Sequence, residues 1–271
     1  MQDKSIKLDS ILNDLRSFVI AFSGGVDSSF LLNRAASLGR IKVMAVTIRT
    51  PYMPSREINE AIGFAESQRI NHIIIDLDFP EIIRHNPKER CYLCKKTLFT
   101  RIYSYARENG FQYVIDGTNA DDSGEIRPGL KALAELSVRS PLAEAGFTKK
   151  EIRESLFKKG LELWDKPAMA CLLTRIPYNT EVSEGMLRMI EKAEDYLFDI
   201  GYPGTRVRVH GEIARIECMP GYLSKIINDP AREQIVAELK KLGFRYISLD
   251  LEGYRTGSMY SENSEDDIKG S

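Results

Sequence analysis

The feature that most constrains the fold is a short apolar run, SFVIAF at 17–22, which leads straight into the glycine loop SGGVDS at 23–28. An apolar run this short and this rich in β-forming residues predicts a strand buried on both faces, as in a parallel sheet. Residues 28–37 then show the apolar spacing of a helix. The order of strand, glycine loop and helix directs backbone N–H groups at a helix N-terminus toward an anion.

Strand and helix patterns continue to alternate through residue 142. The sequence predicts further strands at 42–49, 72–77, 111–116 and near 137–141, and helices at 6–16, after a capping Ser55, and at 95–109. This alternation predicts an α/β fold with a parallel sheet and helices on both of its faces. Ligands of such sheets bind at the C-terminal ends of the strands.

From about residue 148 the pattern changes. Thr148 and Glu151 have the spacing of a capping box at a helix start. A loop at 166–183, a helix at 184–200, a hairpin turning at 210–212, a helix at 222–242 and a strand at 244–251 follow. We therefore expect two domains, an α/β domain at 1–147 that contains the glycine loop and a smaller α+β domain at 148–257. The polar, acidic tail at 258–271 is expected to be disordered.

Charge and hydropathy narrow the range of partners. The chain has 271 residues, with 38 Lys and Arg against 39 Asp and Glu, a net charge of −1. Nucleic-acid binding usually needs a strongly basic surface, so no nucleic-acid partner is expected. The N-terminus is charged, and no apolar run reaches the roughly 18 residues of a membrane helix. We expect a cytoplasmic protein with no membrane association.

The residues of the glycine loop suit a triphosphate. Gly24 and Gly25 allow the backbone to approach an anion closely, and the hydroxyls of Ser23 and Ser28 add donors. Asp27 is placed to orient Mg²⁺ against the phosphates. Neither GxxxxGK[ST] nor GxGxxG is present. The alternative is a turn that merely joins a strand to a helix.

The loop resembles the signature of the PP-loop ATP enzymes, which cleave ATP between its α and β phosphates and release pyrophosphate. A second segment, DGTNADD at 116–122, follows the predicted fourth strand. In that superfamily a related Gly…Asp-Asp segment lies beside the nucleotide, which implies that Gly117 also contacts ATP. The resemblance implies an enzyme that activates its substrate as an adenylate.

The spacing of the cysteines suggests a metal or cluster. Cys91 and Cys94 form a CxxC pair ahead of the predicted helix at 95–109, and Cys171 lies in a loop flanked by prolines. Three thiolates can hold a 4Fe–4S cluster with one iron left open, or zinc with His210 or Cys218 as fourth ligand. An incidental pair with a packed Cys171 is the alternative. A disulfide framework is not expected in a reducing compartment.

Seven segments together resemble the LarE family and span roughly residues 17–257. They are NPKERCYLCKKTLF, DGTNADD, IRPGLKA, SVRSPL, KPAMACLLTRIPY, RVRVHGEIARIE and GFRYISLDLEGYRTG. LarE proteins insert sulfur into the precursor of the nickel-pincer cofactor of lactate racemase. The resemblance implies an ATP-dependent sulfur transferase that adenylates a carboxylate of pyridinium-3,5-biscarboxylic acid mononucleotide and replaces its oxygen by sulfur. It further implies a sulfide source and a homo-oligomer.

The cysteines indicate which type of LarE protein the chain resembles. In the self-sacrificing type a cysteine donates its own sulfur and becomes dehydroalanine, but that position is Ala170 here, beside Cys171. The sacrificial type also lacks the CxxC. The chain instead resembles the cluster-bearing type, which implies that Cys91, Cys94 and Cys171 hold a 4Fe–4S cluster whose open iron binds sulfide. Sacrificial use of Cys171 stays open, and Cys218 is expected to be structural.

The resemblance also implies several polar site positions. Arg206 and Arg208 alternate on a predicted strand, so they share a face, and they would hold the phosphate of the mononucleotide. A solvated strand face is the alternative. The remaining implied positions are Lys95, Thr174, Arg175, Glu194, Glu217 and Arg255, with Asp27, Cys171, Lys95 and Arg175 in catalytic roles. Lys95 as an ordinary charge at a helix start stays open.

Three rival functions share part of this pattern. A tRNA thiolation enzyme has the same phosphate loop and sometimes a three-cysteine cluster, but the near-neutral charge disfavours it. An amide-forming ligase of the NAD-synthetase kind has no use for the three cysteines. A zinc-stabilised nucleotide sensor is the alternative that is not an enzyme.

Overall fold

A computed structural model describes residues 1–39, 41–124, 128–167, 170–228, 230 and 232–255. The tail that the sequence predicts to be disordered, 258–271, lies outside the described residues. The chain forms two compact units. The first comprises Met1–Ile83 and Lys88–Met169, and the second comprises Arg84–Pro87 and the chain from Ala170 onward.

The first unit is built on a four-stranded parallel sheet. Its strands are β1 (Ser17–Ala21), β2 (Lys42–Arg49), β3 (His72–Asp76) and β4 (Tyr113–Ile115). Their order across the sheet is β3-β2-β1-β4, and each neighbouring pair is parallel. The predicted α/β class is confirmed, and β1 lies centrally, as its unbroken apolar sequence requires.

Helices cover both faces of this sheet. They are α1 (Gln2–Leu15), α2 (Val26–Leu38), α3 (Ser55–Ser67), α4 (Arg90–Glu108), α5 (Pro128–Glu135), α6 (Pro141–Ala145) and α7 (Lys149–Lys158). Side chains alternate across a strand, so Phe18 and Ile20 enter one core cluster while Val19 enters the other. The two clusters hold the sheet between two layers of helices.

Two of the predicted helix starts were wrong. Helix α4 begins at Arg90, so the CxxC pair lies within its first two turns and not before it, because no glycine or proline interrupts 90–108. Helix α3 has Pro54 at its N-cap position, and Ser55 is already helical. The N–H groups of Glu57 and Ile58 both donate to the Pro54 carbonyl. The capping box of Thr148 and Glu151 is confirmed.

The predicted fifth strand near 137–141 is reduced to one parallel bridge between Ile115 and Arg139. Pro141 begins α6 directly after it. Because a proline has no N–H to donate, the strand cannot continue through that position. The bridge nevertheless fixes Ser140 beside the end of β4, where its hydroxyl donates to Asp116 over 2.7 Å.

The second unit contains a three-stranded sheet with the order β5-β6-β7. Its strands are β5 (Arg206–His210), β6 (Ile213–Glu217) and β7 (Tyr246–Leu249), and its helices are α8 (Glu184–Asp199), α9 (Leu223–Asn228) and α10 (Arg232–Lys241). The predicted hairpin of β5 and β6 is confirmed. The predicted helix at 222–242 is two helices, because Pro230 between them cannot continue a helix. No helix in the described ranges combines the length and apolar character needed to cross a membrane.

Candidate functional site

The glycine loop lies at the C-terminal end of β1 and opens α2, in the order that the sequence predicts. Gly24 has a φ of +69°. A Cβ on this residue would lie 2.7 Å from the Cβ of Ala61 in α3. Both the backbone conformation and the contact with α3 therefore require glycine at this position.

Hydroxyl groups line the start of α2. The Oγ atoms of Ser23 and Ser28 lie 3.1 Å apart, and Ser28 Oγ donates to the Gly25 carbonyl over 3.2 Å. Gly117, which follows β4, packs against the same turn, since a Cβ on Gly117 would lie 2.8 Å from the Ser28 nitrogen. Backbone N–H groups, hydroxyls and the positive end of the helix dipole thus meet at one point, an arrangement that suits phosphate.

Asp27 lies in the first turn of α2. Asn119 Nδ2 donates to its Oδ2 over 3.2 Å. Its Oδ1 is buried and has no hydrogen-bond partner within the described residues. Burial raises the pKa of Asp27, and the hydrogen bond from Asn119 offsets only part of that effect. A buried carboxylate oxygen left unpaired beside an anion site fits a hard divalent cation such as Mg²⁺.

The segment after β4 positions Asn119. Asn119 Oδ1 accepts the N–H groups of Asp121 and Asp122 over 2.9 and 3.3 Å. Lys149, the first residue of α7, bonds both aspartates: its N–H donates to Asp121 over 2.8 Å and its Nζ contacts Asp122 over 3.0 Å. The acidic segment is therefore folded on itself and fixed to α7, which leaves the Asn119 amide directed at Asp27.

Lys166 reaches the glycine loop from the C-terminal end of the first unit. Its Nζ lies 2.9 Å from the Gly24 carbonyl oxygen and 2.7 Å from Glu60 Oε2. The lysine side chain is only 10% exposed. Sequence reasoning gave Lys166 no role, because 142 residues separate it from Gly24 and its one signal was membership of the KPAMAC segment.

The CxxC pair and the third cysteine belong to different units. Cys91 and Cys94 are half-buried at the start of α4, and their spacing of three places both on one helix face. The Tyr52 hydroxyl lies 3.2 Å from Cys94 Sγ. Cys171, also half-buried, is in the second unit. Within the described ranges no group of three or more His, Cys, Asp or Glu side chains is arranged to hold a metal ion.

Cys171 is the N-cap of a short 3-10 helix, Leu172–Arg175, and its carbonyl is heavily bonded. It accepts from the Thr174 hydroxyl over 2.9 Å and from Arg175 Nη1 over 3.2 Å. The same Nη1 donates to the Ala170 carbonyl over 2.8 Å. Arg175 thus fixes the backbone on both sides of the Cys171 α-carbon.

Arg175 is itself held by a buried ion pair. Its guanidinium is 2% exposed and bonds both carboxylate oxygens of Glu194 over 2.9 Å each. Glu194 Oε1 also accepts the N–H of Val207 in β5 over 2.9 Å. The predicted positions Thr174, Arg175 and Glu194 therefore lie together in the second unit, around the backbone of Cys171.

Arg206 and Arg208 are both buried, so the alternative of a solvated strand face was wrong. Arg208 makes two bonds to Glu217 Oε2, over 3.0 and 2.8 Å, and donates to the Thr174 carbonyl over 2.7 Å. Glu217 is fully buried and also pairs with Arg215 over 3.1 Å. Burial lowers the pKa of Arg206, and the neighbouring charge of Arg175 adds to this effect.

Three further residues singled out from the sequence lie outside these networks. Lys95 packs its stem against α5, since a Cβ on Gly129 would lie 2.8 Å from Lys95 Cδ. Arg255 is half-exposed and pairs with Glu252. Cys218 is fully buried, and burial raises the pKa of its thiol, which disfavours the reactive thiolate.

Asn86 is a second residue that sequence reasoning missed. It is fully buried with a φ of +49°, and its Nδ2 lies within 3.2 Å of three carbonyl oxygens, those of Leu173, Ile176 and Pro177. Its own carbonyl accepts the N–H of Asn179 over 3.1 Å. Asn86 thus braces the turn that follows Cys171, and it stands five residues before Cys91.

Comparison with known proteins gives full-length relatives, although no family model matches the chain. The pyridinium-3,5-bisthiocarboxylic acid mononucleotide synthase of Lactiplantibacillus plantarum is 36% identical over 261 residues, covering 94% of this chain and 93% of the relative. Uncharacterised proteins of Synechocystis and Methanocaldococcus jannaschii are each 37% identical. The match to the Synechocystis protein covers 93% of this chain and 97% of the relative. The match to the Methanocaldococcus jannaschii protein covers 93% of this chain and 98% of the relative. By this similarity the chain belongs to the LarE family, the family of the pyridinium-3,5-bisthiocarboxylic acid mononucleotide synthase.

Proposed function

We propose that the protein is an ATP-dependent sulfur transferase that converts a carboxylate of pyridinium-3,5-biscarboxylic acid mononucleotide into a thiocarboxylate. The observation that carries the proposal is the match to the synthase of L. plantarum along nearly the whole of both chains. Membership of the LarE family also favours a homo-oligomer, a cytoplasmic location and a separate sulfide source. Two chemical steps follow, and each draws on a different group of residues.

The first step is adenylation. A carboxylate oxygen of the substrate attacks the α-phosphorus of ATP, the bond to the β-phosphate oxygen breaks, and pyrophosphate leaves. The N–H groups and hydroxyls at Ser23, Gly25 and Ser28 would hold the phosphates. The unpaired Oδ1 of Asp27 would hold Mg²⁺, which neutralises phosphate charge when bound. Asn119 keeps the other oxygen of Asp27 in place.

The second step is sulfur transfer. Sulfide attacks the acyl carbon of the adenylate, the carbon–oxygen bond to the phosphate breaks, and AMP leaves with the oxygen. Cys91, Cys94 and Cys171 would supply three half-buried thiolates, which is the kind of ligand that holds a 4Fe–4S cluster. Such a cluster, when bound, leaves one iron without a protein ligand, where sulfide can be held.

The segments that flank these cysteines in the sequence meet within the second unit. Residues Arg84–Pro87 belong to the second unit, although the chain returns to the first unit just before Cys91. Within the second unit, Asn86 bonds the turn that begins two residues after Cys171. The segments leading to the CxxC and away from Cys171 are therefore joined by hydrogen bonds.

The second unit would bind the substrate through its buried arginines. A buried guanidinium is costly because it is removed from water, as the lowered pKa of Arg206 indicates. A phosphate dianion beside it would offset that cost through charge-assisted hydrogen bonds. Arg208 is already fixed by Glu217 and by the Thr174 carbonyl, so this arginine is oriented before the ligand arrives.

The proposal is tested by changing each cysteine in turn under anaerobic conditions. Cys91→Ser, Cys94→Ser and Cys171→Ser are each expected to retain substrate-dependent AMP and pyrophosphate release and to lose thiocarboxylate formation. Cys218→Ala is the matched control and is expected to retain both. Iron and acid-labile sulfide are measured on the same samples, and both are expected to fall only in the first three variants.

Different outcomes separate the alternatives. If Cys91→Ser and Cys94→Ser still made one thiocarboxylate per chain while the protein lost the mass of H₂S, Cys171 would be a sacrificial donor. If tRNA, and not the pyridinium nucleotide, accepted sulfur, the protein would be a thiolation enzyme of the tRNA kind. If transfer of the activated acyl group to an amine, with release of AMP, survived replacement of all three cysteines, an amide-forming ligase would be favoured. A colourless protein with zinc and no turnover would indicate a sensor.

A further inference from the structure

We infer that Lys166 is the positioning lysine of the phosphate loop: it fixes the Gly24–Gly25 peptide and places a positive charge beside the ATP triphosphate. This inference rests on the proposed ATP site in the first unit. The glycine loop carries no lysine of its own, unlike a GxxxxGK[ST] loop. Lys166 brings that charge from the far end of the same unit.

The contact with Gly24 determines which way the loop's central peptide faces. Lys166 Nζ lies 2.9 Å from the Gly24 carbonyl oxygen. In a trans peptide the carbonyl and the following N–H point in opposite directions, so fixing this oxygen also fixes the N–H of Gly25. That N–H points toward Ser23 Oγ, 3.4 Å away. Without the lysine, a peptide between two glycines can turn its carbonyl oxygen toward the phosphates, where like charge is repelled.

The charge of Lys166 is only partly neutralised. Glu60 pairs with it over 2.7 Å, but the glutamate is 42% exposed while the lysine is 10% exposed. Water therefore screens the glutamate more than the lysine. A positive charge that is poorly hydrated and next to an anion-binding loop favours a ligand with several negative charges. ATP gains more from it than AMP, and adenosine gains nothing.

The backbone of Lys166 is held independently of its side chain. Arg153 in α7 donates to the Lys166 carbonyl over 2.8 Å and to the Trp164 carbonyl. The segment 164–166 is thus anchored to α7, and only the lysine side chain extends to Gly24. Replacement of that side chain is expected to leave the segment in place, which makes the role separable from folding.

The test measures the binding of ATP, AMP and adenosine by titration calorimetry with Mg²⁺. Lys166→Met keeps the length of the stem and removes the charge. It is expected to weaken ATP binding about tenfold, equivalent to ~1.4 kcal/mol, and to leave adenosine binding unchanged. Lys166→Arg is expected to restore most of the ATP affinity. Lys158→Met, which removes an exposed lysine from α7, is the matched control and is expected to change neither.

Two results would overturn the inference. One is that Lys166→Met binds both ATP and adenosine as tightly as the unaltered protein. The other is an equal loss for both ligands, since that pattern reports a distorted site. Failure of the proposed ATP site would give a different result. The unaltered protein would then bind ATP no more tightly than adenosine, and the three lysine variants would have the same affinities as the unaltered protein.

Discussion

A Cβ placed on Gly117 would lie 2.8 Å from the backbone nitrogen of Ser28. Gly117, two residues after the end of β4, therefore packs directly against the first turn of α2, which carries the proposed phosphate-binding N–H groups. This contact joins the two segments, 23–28 and 116–122, from which the sequence predicts nucleotide binding. It also means that a single methyl group can move the loop.

Gly117→Ala is expected to weaken ATP binding about tenfold and to lower stability by about 1–3 kcal/mol, because the new methyl group collides with rigid backbone. ATP titration and thermal unfolding measure the two effects. Gly63→Ala in α3 is the matched control, since a Cβ there meets nothing within 4 Å. An alanine in mid-helix is expected to stabilise the protein by roughly 0.5–1 kcal/mol. Equal ATP affinity and equal thermal stability of Gly117→Ala and Gly63→Ala would contradict the proposed contact.

Asp27→Asn is expected to reduce AMP release about 100-fold or more, equivalent to ~2.7 kcal/mol in the barrier, because a neutral amide binds Mg²⁺ poorly. The variant keeps the shape of the side chain and its neighbour Asn119. Thermal unfolding with and without Mg·ATP provides the second measurement. We expect Mg·ATP to raise the unfolding temperature of the unaltered protein but not of Asp27→Asn. Normal AMP release by the variant would exclude a metal role for Asp27.

The pH dependence of stability gives an independent test of Asp27. Burial raises its pKa above the usual value of 3.8 for an aspartate. The folded protein therefore holds the proton to a higher pH than the unfolded chain, and its stability falls as the pH rises through that interval. Asp27→Asn removes this loss, so it is expected to match or exceed the unaltered protein at neutral pH, with the difference vanishing below pH 3.8. If Asp27→Asn were less stable than the unaltered protein at neutral pH, burial of the charged Asp27 carboxylate would not be destabilising the fold.

Glu217→Ala is expected to destabilise the protein by about 3–5 kcal/mol, because it leaves the buried Arg208 without its bidentate partner. Chemical denaturation measures the change. The control is Glu212→Ala, whose pair with Arg245 is 66% exposed on both sides and is expected to contribute roughly 0–1 kcal/mol. Similar losses in the two variants would mean that the buried pair adds nothing beyond a surface contact.

Asn86→Asp tests the hydrogen bonds by which Asn86 holds the turn after Cys171. The change replaces an amide donor by a carboxylate that faces three carbonyl oxygens within 3.2 Å. Thiocarboxylate formation is expected to fall about tenfold or more, while ATP binding in the first unit is retained. Asn228→Asp, an exposed asparagine in the same unit, serves as the control. Retained thiocarboxylate formation in Asn86→Asp would mean that the hydrogen bonds of Asn86 do not position the sulfur-transfer residues.

The sequence predicts the parts of the structure that depend on local pattern. The apolar run of β1, the glycine loop and the capping box at Thr148 each have a short-range signal, and each forms as predicted. The start of α4 was misplaced because the CxxC pair is compatible with either a loop or a helix. The helix at 222–242 was joined across Pro230, whose effect on backbone hydrogen bonding outweighs the apolar spacing around it.

The contacts that sequence reasoning missed are long-range. Lys166 and Gly24, or Asn86 and Leu173, are far apart along the chain, and no local pattern marks a lysine or an asparagine as a partner of a distant carbonyl. The sequence also left open whether Arg206 and Arg208 are buried, because arginine is usually exposed unless a buried partner such as Glu217 is present. Such partners become visible only once the fold brings them together.

The most direct measurement of the central claim follows the substrate and ATP together. The protein, loaded anaerobically with iron and sulfide, is mixed with pyridinium-3,5-biscarboxylic acid mononucleotide and Mg·ATP, and products are separated by liquid chromatography and mass spectrometry. The account predicts one AMP and one pyrophosphate for each carboxylate oxygen replaced by sulfur. Sulfur incorporation without AMP release, or AMP release with both carboxylates unchanged, would contradict it.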